Sequence, residues 1–494
     1  MQNASVLVMT RAALALLLPL LFLAPAAHAA PAKTPKVLVI GLDGARHDKL
    51  LSADTPNVHA LLNRGYGARS ALYGSGMAQT SSGPGWSTIL TGVWPDKHKV
   101  KDNSFSGNAL ASYPSWLERA NRANPALSTY AAVDWKPISD KILRGGQDRK
   151  YVLDGDTAGY PGSDEKITAD AEQHLRTNAA DASFVYLGQI DIAGHSFGAD
   201  SAQYAAAMRT NDAQIGRLVA AVESRASYAS EDWLIMLTTD HGHTAAGGHG
   251  GDSPEERMTF VISTGAARPA VAPKLVDVAA SALKHLGVAA SLDGYAIGSA
   301  PADAFDSVTL KPRQDETGVP ATVLGWTHQG PAGWTVTTSS SMPQGVAEWQ
   351  GWSFTTDEFW TRTAPSQSRE ANVRARGVFA VADPDEWDDK GSPSSSGKFD
   401  STMTSPAYDV TGKSSVRLEY GSHYLQEGTQ RGTVSVSFDG GPAQMVKTHN
   451  ADGLAQQISL NVTVPPGART AKVSWRLFDA GNNWYWAVDA PRLS

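Results

Sequence analysis

Short, continuously apolar runs alternate with amphipathic stretches in the part of the chain that precedes residue 305. The apolar runs are rich in β-branched residues and cover residues 36–42, 128–133, 183–190, 233–238 and 258–263. Helical periodicity appears between them, at residues 165–176, 199–224 and 273–286. Strands that are apolar on both faces and separated by helices are typical of a mostly parallel sheet with helices on both faces. The pattern predicts an α/β domain over residues 30–304.

The pattern changes near residue 305, where the helical periods give way to alternation with a period of two. Alternating segments occupy residues 415–420, 433–438, 458–464 and 472–477, and Asp439-Gly440-Gly441 is one of the turn signals between them. Nine of the 14 tryptophans fall between Trp326 and Trp486. Short alternating strands with regular turns predict an antiparallel β-sandwich over residues 305–494.

The first 29 residues have the pattern of a targeting segment. Arg11 precedes an apolar run at residues 12–23, and Ala27-His28-Ala29 places small residues at the two positions that signal cleavage requires. The segment predicts a Sec-type signal peptide over residues 1–29 and a periplasmic or extracellular protein. Other apolar stretches fall short of the ~20 residues that a membrane-spanning helix needs, so we expect no transmembrane segment.

Composition narrows the chemistry. The 494 residues include 42 Lys and Arg against 49 Asp and Glu, a net charge of −7, which argues against binding to nucleic-acid duplexes. The chain has no cysteine, which excludes disulfides, thiolate metal sites and a cysteine nucleophile. A bound metal would therefore need histidine and carboxylate ligands.

Three of the apolar runs are followed by an aspartate. Asp43, Asp191 and Asp240 come just after the first, third and fourth runs. Each alone is as well explained by an Asx turn or a helix cap. Together they predict carboxylates that converge at the carboxyl edge of a parallel sheet, where α/β proteins bind ligands. Such carboxylates repel one another unless a cation lies between them.

Histidines follow two of these aspartates at short spacing. His195 comes four residues after Asp191, His241 directly follows Asp240, and His243 and His249 come soon after His241. Mixed histidine and carboxylate ligands suit zinc better than manganese or magnesium. His243 is the uncertain member of the group, since one of three neighbouring histidines fits a supporting or solvent-facing position equally well.

The order of these motifs resembles the alkaline phosphatase superfamily, and within it the type I phosphodiesterase/nucleotide pyrophosphatase group. Along the chain, an aspartate at the end of a strand comes first, and a serine with TGxxPxxH downstream of it comes second. The motif DxxxH is third, and DH with a later histidine is fourth. The resemblance extends over residues 36–300 and includes GLDG at 41–44, TGVWPDKH at 91–98, DNSF at 102–105, GHSFG at 194–198 and TDHG at 239–242. It implies an alkaline phosphatase-like α/β fold and a secreted, metal-dependent phosphoesterase.

The resemblance also implies a site with two divalent metal ions, best matched by zinc. It assigns one metal to Asp43, Asp240 and His241 together with the nucleophile oxygen, and the other metal to Asp191, His195 and His249. The nucleophile falls on Ser82, with Ser81 and Thr80 as neighbouring alternatives, and the reaction would pass through a phosphoseryl intermediate.

The substrate is less well defined than the site. The nucleotide pyrophosphatase group typically has TFPN at the nucleophile, whereas this chain has Ser82-Gly83-Pro84-Gly85 and so lacks that asparagine. Asn103 is a candidate to supply an amide to the phosphate instead. Phosphodiesters, pyrophosphates and phosphomonoesters all remain candidate substrates.

Two other functions fit parts of the sequence. A sulfatase has the same fold but requires C/S-x-P-x-R, and here Trp86 stands where the arginine belongs. A non-catalytic secreted protein would use the β-sandwich to bind glycans or surfaces, through exposed tryptophans that stack on sugars and acids that hold calcium. The competing interpretation is that Trp334, Trp352, Trp360, Trp484 and Trp486 fill the core of the sandwich or the domain interface.

Overall fold

The computed structural model describes residue 1 and residues 33–177, 180–265, 268–390 and 397–494. The predicted signal peptide, apart from residue 1, lies outside the described residues. Within these described ranges, no helix has both the length and the apolar character needed to cross a membrane.

A seven-stranded sheet forms the centre of the first domain. Its strands are β1 (Thr34–Leu42), β2 (Gly65–Ala71), β3 (Thr129–Val133), β4 (Arg149–Val152), β5 (Ala182–Leu187), β6 (Glu231–Thr238) and β7 (Met258–Thr264). Their order in the sheet is β2-β7-β6-β1-β5-β3-β4. β1 pairs in parallel with β5 and β6, and β3 does so with β4 and β5. Only β7 runs against its neighbours β2 and β6 in this sheet, which confirms the mostly parallel arrangement.

Helices cover both faces of this sheet. They are α1 (His47–Ser52), α2 (Pro56–Asn63), α3 (Ser82–Thr91), α4 (Pro95–His98), α5 (Trp116–Ala123), α6 (Gly155–Ala158), α7 (Tyr160–Thr177), α8 (Gln189–Phe197), α9 (Ala202–Glu223) and α10 (Val276–His285). Val37 and Val39 of β1 belong to a core with α3, α5 and α10, whereas Leu38 and Ile40 belong to a core with α2, α7 and α9. Alternate residues of one strand thus enter opposite cores, which explains why the strand is continuously apolar.

The second domain consists of two antiparallel sheets. Its strands are β8 (Lys311–Pro312), β9 (Leu324–Thr327), β10 (Thr335–Thr338), β11 (Ser353–Thr356), β12 (Val378–Ala382), β13 (Phe399–Thr404), β14 (Tyr408–Asp409), β15 (Ser415–Tyr424), β16 (Arg431–Phe438), β17 (Gln444–His449), β18 (Gly453–Thr463), β19 (Thr470–Ala480) and β20 (Trp486–Leu493). One sheet has the order β10-β13-β19-β16-β17 with β14 beside β19, and the other has the order β18-β15-β20-β12-β11-β9-β8. Two short helices, α11 (Asp357–Thr363) and α12 (Pro384–Asp388), complete the domain.

The two antiparallel sheets share one aromatic core. Trp334, Trp352, Trp360 and Trp486 are all buried in it, and Trp484 is partly buried against it. Phe305 is the first residue of this core along the chain. The structure confirms the predicted sandwich architecture, and these tryptophans pack in or against its hydrophobic core.

Ion pairs join the two domains. Arg257, which directly precedes β7, places Nη2 3.1 Å from both carboxylate oxygens of Asp357 in α11. Arg376 of the second domain forms a two-pronged pair with Asp277 of α10, at 2.8 and 2.7 Å. Arg257 and Asp277 are only 4% and 1% exposed, so each depends on a partner from the other domain.

Candidate active site

The predicted aspartates do meet at the carboxyl edge of the sheet, but one of them reaches it differently from the prediction. Asp43 follows the last residue of β1, and Asp240 comes two residues after the end of β6. Asp191 does not end a strand. The apolar run at 183–190 crosses the end of β5 at Leu187, and Asp191 lies in the first turn of α8. On that helix Asp191 and His195 are one turn apart, with Oδ2 and Nε2 3.4 Å from each other.

Asp43, Asp240 and His241 form the first group of potential ligands. His241 Nε2 lies 3.3 Å from Asp43 Oδ1 and 3.4 Å from Asp240 Oδ2. Both of these carboxylate oxygens are buried and have no hydrogen-bond partner among the described residues. The other oxygens are engaged, since Asp240 Oδ1 accepts the Gly44 backbone N–H at 3.1 Å. Two buried oxygens without donors, facing a ring nitrogen, fit a divalent cation.

Asp191, His195, His243 and His249 form the second group. Their ligand atoms all lie within 4.8 Å of one another. His249 Nε2 is 3.0 Å from His195 Nε2 and 3.7 Å from Asp191 Oδ1. His243, the uncertain member in the sequence, is fully buried and places Nε2 2.7 Å from Asp191 Oδ1. Asp191 Oδ1 is also 3.9 Å from His241 Nε2, so the two groups are adjacent.

Hydrogen bonds at Nδ1 fix the ring orientation of two of these histidines. His241 Nδ1 lies 3.0 Å from the carbonyl oxygen of Gly242, and His249 Nδ1 lies 2.9 Å from that of Thr80. A carbonyl only accepts, so each Nδ1 donates, and Nε2 is the atom that faces the centre of the site; on the neutral form of each ring it keeps its lone pair. Metal-binding histidines are held in this way.

The electrostatic environment of the site favours a bound cation. Burial and the carboxylate of Asp43 raise the pKa of Asp240 well above its usual range. Burial opposes protonation of His241, but the nearby Asp240 and Asp43 outweigh it and raise the pKa of this histidine to about 10. Burial, aided by the neighbouring His241, lowers the pKa of His249 to about 2 and keeps that ring neutral. The carboxylates need a cation, and the neutral ring is able to bind one.

Ser82 is the first residue of α3, so its side chain lies at the positive end of the helix dipole. Its Oγ is 3.4 Å from His241 Nε2, which brings it to the first ligand group. Thr80 instead accepts the Gly250 N–H at 3.0 Å and donates to the Gly251 carbonyl at 2.8 Å. The Ser81 hydroxyl is buried and has no partner among the described residues. Of the three candidate nucleophiles, Ser82 is the one for which a contact with a candidate ligand is found.

Asn103 lies beside the start of α3. Its Oδ1 accepts the backbone N–H of Gly83 at 2.7 Å, which fixes the amide group next to Ser82. The residue is exposed, and its Nδ2 donates no hydrogen bond within the described ranges. The amide is therefore able to donate to an anion bound at Ser82.

Sequence reasoning missed the residues that hold Asp43. Trp86 Nε1 and the Tyr186 hydroxyl both donate to Asp43 Oδ2, at 2.8 and 2.6 Å. Trp86 reaches this position across Gly41, where an added Cβ would lie 2.3 Å from the indole ring. The glycine in GLDG thus makes room for the ring that orients the aspartate. Asp134, directly after β3, was also missed, although it follows an apolar run as the other three aspartates do.

Comparisons with known proteins bear on the first domain. Residues 37–274 match the sequence model of the family described as type I phosphodiesterase/nucleotide pyrophosphatase. Ectonucleotide pyrophosphatase/phosphodiesterase family member 3 of Mus musculus is 27% identical over 225 residues, which cover 42% of this chain and 25% of the mouse protein. GPI ethanolamine phosphate transferase 2 of Schizosaccharomyces pombe is 24% identical over 238 residues, 46% of this chain and 30% of that protein.

A solved structure of human ectonucleotide pyrophosphatase/phosphodiesterase 5 aligns with a TM-score of 0.41 at 14% identity, over 52% of this chain and 97% of that one. The chain spans about a quarter of the mouse relative and under a third of the yeast one.

The sheet order and the histidine and aspartate cluster at its carboxyl edge describe an α/β domain with a candidate metal site. The family match narrows this class. The first domain of the chain is similar to the type I phosphodiesterase/nucleotide pyrophosphatase family of the alkaline phosphatase superfamily, and a β-sandwich follows it.

Proposed function

We propose that the chain is an exported, metal-dependent phosphoesterase that cleaves phosphodiester, pyrophosphate or phosphomonoester bonds through a phosphoseryl intermediate. One observation carries the proposal. The Ser82 hydroxyl lies 3.4 Å from His241 Nε2, and His241 belongs to a cluster of aspartate and histidine side chains that could hold a divalent cation. A hydroxyl beside one potential metal site, with a second group of potential ligands adjacent to it, suits in-line phosphoryl transfer without a separate general acid.

The ligand assignment follows the two groups. Asp43, Asp240, His241 and the Ser82 oxygen would hold one divalent ion, and Asp191, His195 and His249 the other, with zinc the best match to these donors. Bound there, the two ions would lower the pKa of the serine hydroxyl and neutralise charge on the transferred group. His243 contacts Asp191 at 2.7 Å and would either orient that carboxylate or join its site.

The chain's own groups account for the remaining steps. Ser82 Oγ releases its proton to solvent and attacks phosphorus as the bond from phosphorus to the leaving oxygen breaks. The leaving oxygen takes up a proton from solvent, and the leaving group departs as an alcohol or a phosphate. Water then attacks the phosphoserine, which releases the phosphoryl product and restores the hydroxyl. Asn103 Nδ2 and the N-terminal end of α3 favour the negative charge on the transferred group throughout.

Assays with matched chromogenic substrates test this proposal. The metal-replete chain should hydrolyse para-nitrophenyl phosphate or bis-para-nitrophenyl phosphate, and a chelator should abolish that activity. Ser82→Ala should lower kcat by at least about 10³-fold while the protein keeps its metal, since the attacking oxygen is lost. Ser81→Ala is the matched control. If the wild type hydrolyses neither ester, the proposed activity is wrong, and if Ser81→Ala is the inactive variant, the nucleophile is misassigned.

The ratio of the hydrolysis rate of the phosphomonoester to that of the phosphodiester assigns the substrate class. Gly85 stands where the pyrophosphatase group has the asparagine that contacts a non-bridging oxygen, and Asn103 approaches Ser82 from another segment. A phosphomonoester has one more charged oxygen than a diester and would gain more from the Asn103 amide.

The two alternative functions have less support. Trp86 stands at the position of the sulfatase arginine, where it is buried and donates a hydrogen bond to Asp43. A tryptophan with this role does not supply the arginine that the sulfatase motif requires. The glycan-binding alternative needs exposed rings, but Trp334, Trp352, Trp360 and Trp486 lie in the sandwich core. Contact with a carbohydrate or a surface through the second domain, and calcium binding there, stay predictions.

A further inference from the structure

Asp134 is a fourth aspartate at the carboxyl edge of the sheet, directly after β3. Its side chain is fully buried, and neither carboxyl oxygen receives an N–H or O–H donor from the described protein groups. The carboxyl group of Asp164 in α7 faces it within reach of a hydrogen bond, which forms only if one of the two carboxyls carries a proton. An ionised carboxyl that is buried without hydrogen-bond donors is much less stable than the same group in water. The ionised form is therefore disfavoured at Asp134.

Asp164 is in the opposite situation. Its Oδ1 accepts the Gly188 backbone N–H at 2.9 Å, and its Oδ2 accepts the Gln189 backbone N–H at 3.1 Å and Asn211 Nδ2 at 2.9 Å. Three donors stabilise the ionised form of this carboxyl. Two carboxyls in hydrogen-bond contact do not both ionise readily, so the shared proton belongs to Asp134. An Asp134 O–H then fills the acceptor position that is left on Asp164.

The backbone groups that Asp164 holds are the start of α8. Gly188 is the N-cap residue of this helix and Gln189 is its first residue, and no side chain of α8 itself caps it. The helix carries Asp191 and His195, two of the candidate ligands. Gly194 of the same helix packs against His243, whose Nε2 would lie 2.7 Å from an added Cβ. A small rotation of α8 would therefore displace three groups of the site at once.

We propose that Asp134 is a neutral acid whose O–H holds Asp164 as the cap of α8, and that this pair positions Asp191 and His195 for metal binding. Burial and the neighbouring Asp164 support the neutral form, since they raise the pKa of Asp134 well above its usual range. The inference rests on the proposed metal site, but its first consequence, an anchored helix, is independent of metal and of activity.

Hydrogen exchange in chelator-treated protein tests the anchoring. Asp134→Asn keeps a donor of similar shape at the same place, whereas Asp134→Ala removes it and Asp164→Ala removes the acceptor. We expect exchange in residues 188–197 to be about tenfold faster in the latter two variants and unchanged in Asp134→Asn. Asp154→Asn is the control, because Asp154 caps α6 through the Thr157 N–H at 3.4 Å and has no part in α8.

Metal titration tests the consequence for the site. Asp134→Ala should weaken binding of one of two zinc ions by about 10- to 100-fold, while Asp134→Asn stays at the wild-type affinity. Equal exchange in Asp134→Ala and wild type would overturn the anchoring, and an Asp134→Asn variant that behaves like Asp134→Ala would overturn the neutral-donor role. Faster exchange with unaltered zinc affinity would overturn the positioning of the ligands. A protein with the expected exchange pattern but no hydrolytic activity would instead contradict the proposed function.

Discussion

The Nε2 atoms of His195 and His249 lie 3.0 Å apart, although the two residues are separated by 54 positions in the chain. His195 belongs to α8, and His249 lies in the glycine-rich loop after β6. Because His249 donates through Nδ1 to the Thr80 carbonyl, its Nε2 faces His195 as an acceptor. Two ring nitrogens at this distance, with the Asp191 carboxylate beside them, are suited to bind one cation.

Removal of one of these rings should therefore remove one metal ion. We expect the wild type to carry two divalent ions per chain after gel filtration and His249→Ala to carry about one, as measured by elemental analysis. The exposed His59 provides a control in His59→Ala, which should keep both ions. Retention of two ions by His249→Ala would show that this ring is not a ligand.

Tyr186 should tune the first metal site without touching the metal. Its hydroxyl donates to Asp43 Oδ2 at 2.6 Å and so leaves Oδ1 directed at His241. Tyr186→Phe should weaken zinc binding by about 10- to 100-fold in competition with a chelating dye, because the carboxylate loses one of its two orienting donors. Tyr130→Phe is the control, since Tyr130 donates to Asp170 at 2.6 Å away from the site. Equal losses in both variants would point to a general effect on stability.

Asn103 should act on kcat. Its amide is held by the Gly83 N–H and is free to donate to the transferred phosphoryl group, so Asn103→Ala should lower kcat by about 10²-fold. Asn103→Asp should be slower still, because a carboxylate repels the phosphate oxygens. Steady-state assays would measure both, with Asn108→Ala in the same loop as the control. An unchanged kcat in Asn103→Ala would mean that the amide makes no contact with the transition state.

The pH dependence of stability should reflect a carboxyl at the domain junction. Burial and the neighbouring Asp306 raise the pKa of Asp303 from 3.8 to about 6. Since the folded chain has the higher pKa, this group's stabilisation is fully present below pH 3.8 and is lost as the pH rises through about 6. Asp303→Asn should therefore raise the free energy of unfolding at pH 7.5 by about 1 kcal/mol, and Tm should rise with it. At pH 4.5 the gain should be smaller.

Asp306→Asn is the matched comparison for this prediction. The Asp306 carboxylate accepts the backbone N–H groups of Asp303 and Val378, both at 3.0 Å. Its loss should lower Tm at both pH values, as followed by differential scanning fluorimetry. A gain at pH 4.5 as large as that at pH 7.5 in Asp303→Asn would exclude the titration as the cause.

The central strands were predictable because both of their faces are buried. β1 and β6 have long apolar runs, whereas β2 (GYGARSA) and β4 (RKYV) lie at the two edges of the sheet and carry glycine or charged residues. An edge strand has fewer apolar neighbours, so its sequence gives little sign of its pairing. The apolar run at 183–190 hid a strand-to-helix transition for a related reason, since Ile190 of α8 is as buried as the strand before it.

The candidate site was predictable where its residues are candidate ligands and less so where they support those candidates. Aspartate and histidine at short spacing carry a chemical signal, which located seven residues of the site. Trp86, Tyr186 and Asp164 act through single hydrogen bonds to groups far away in sequence, and such pairings are fixed only by the fold. Asp134 did carry a signal, since it follows β3 as Asp43 follows β1.

The paired charges at the domain junction limit how this protein can change during evolution. Arg257 and Asp277 are buried where the domains meet, and their counter-charges, Asp357 and Arg376, come from the sandwich. A foreign domain joined at this surface would leave each charge buried without its partner, at a cost of about 3–5 kcal/mol per broken pair. The α/β domain is therefore exchangeable only together with its matching sandwich surface, so the two halves are expected to be inherited as one unit.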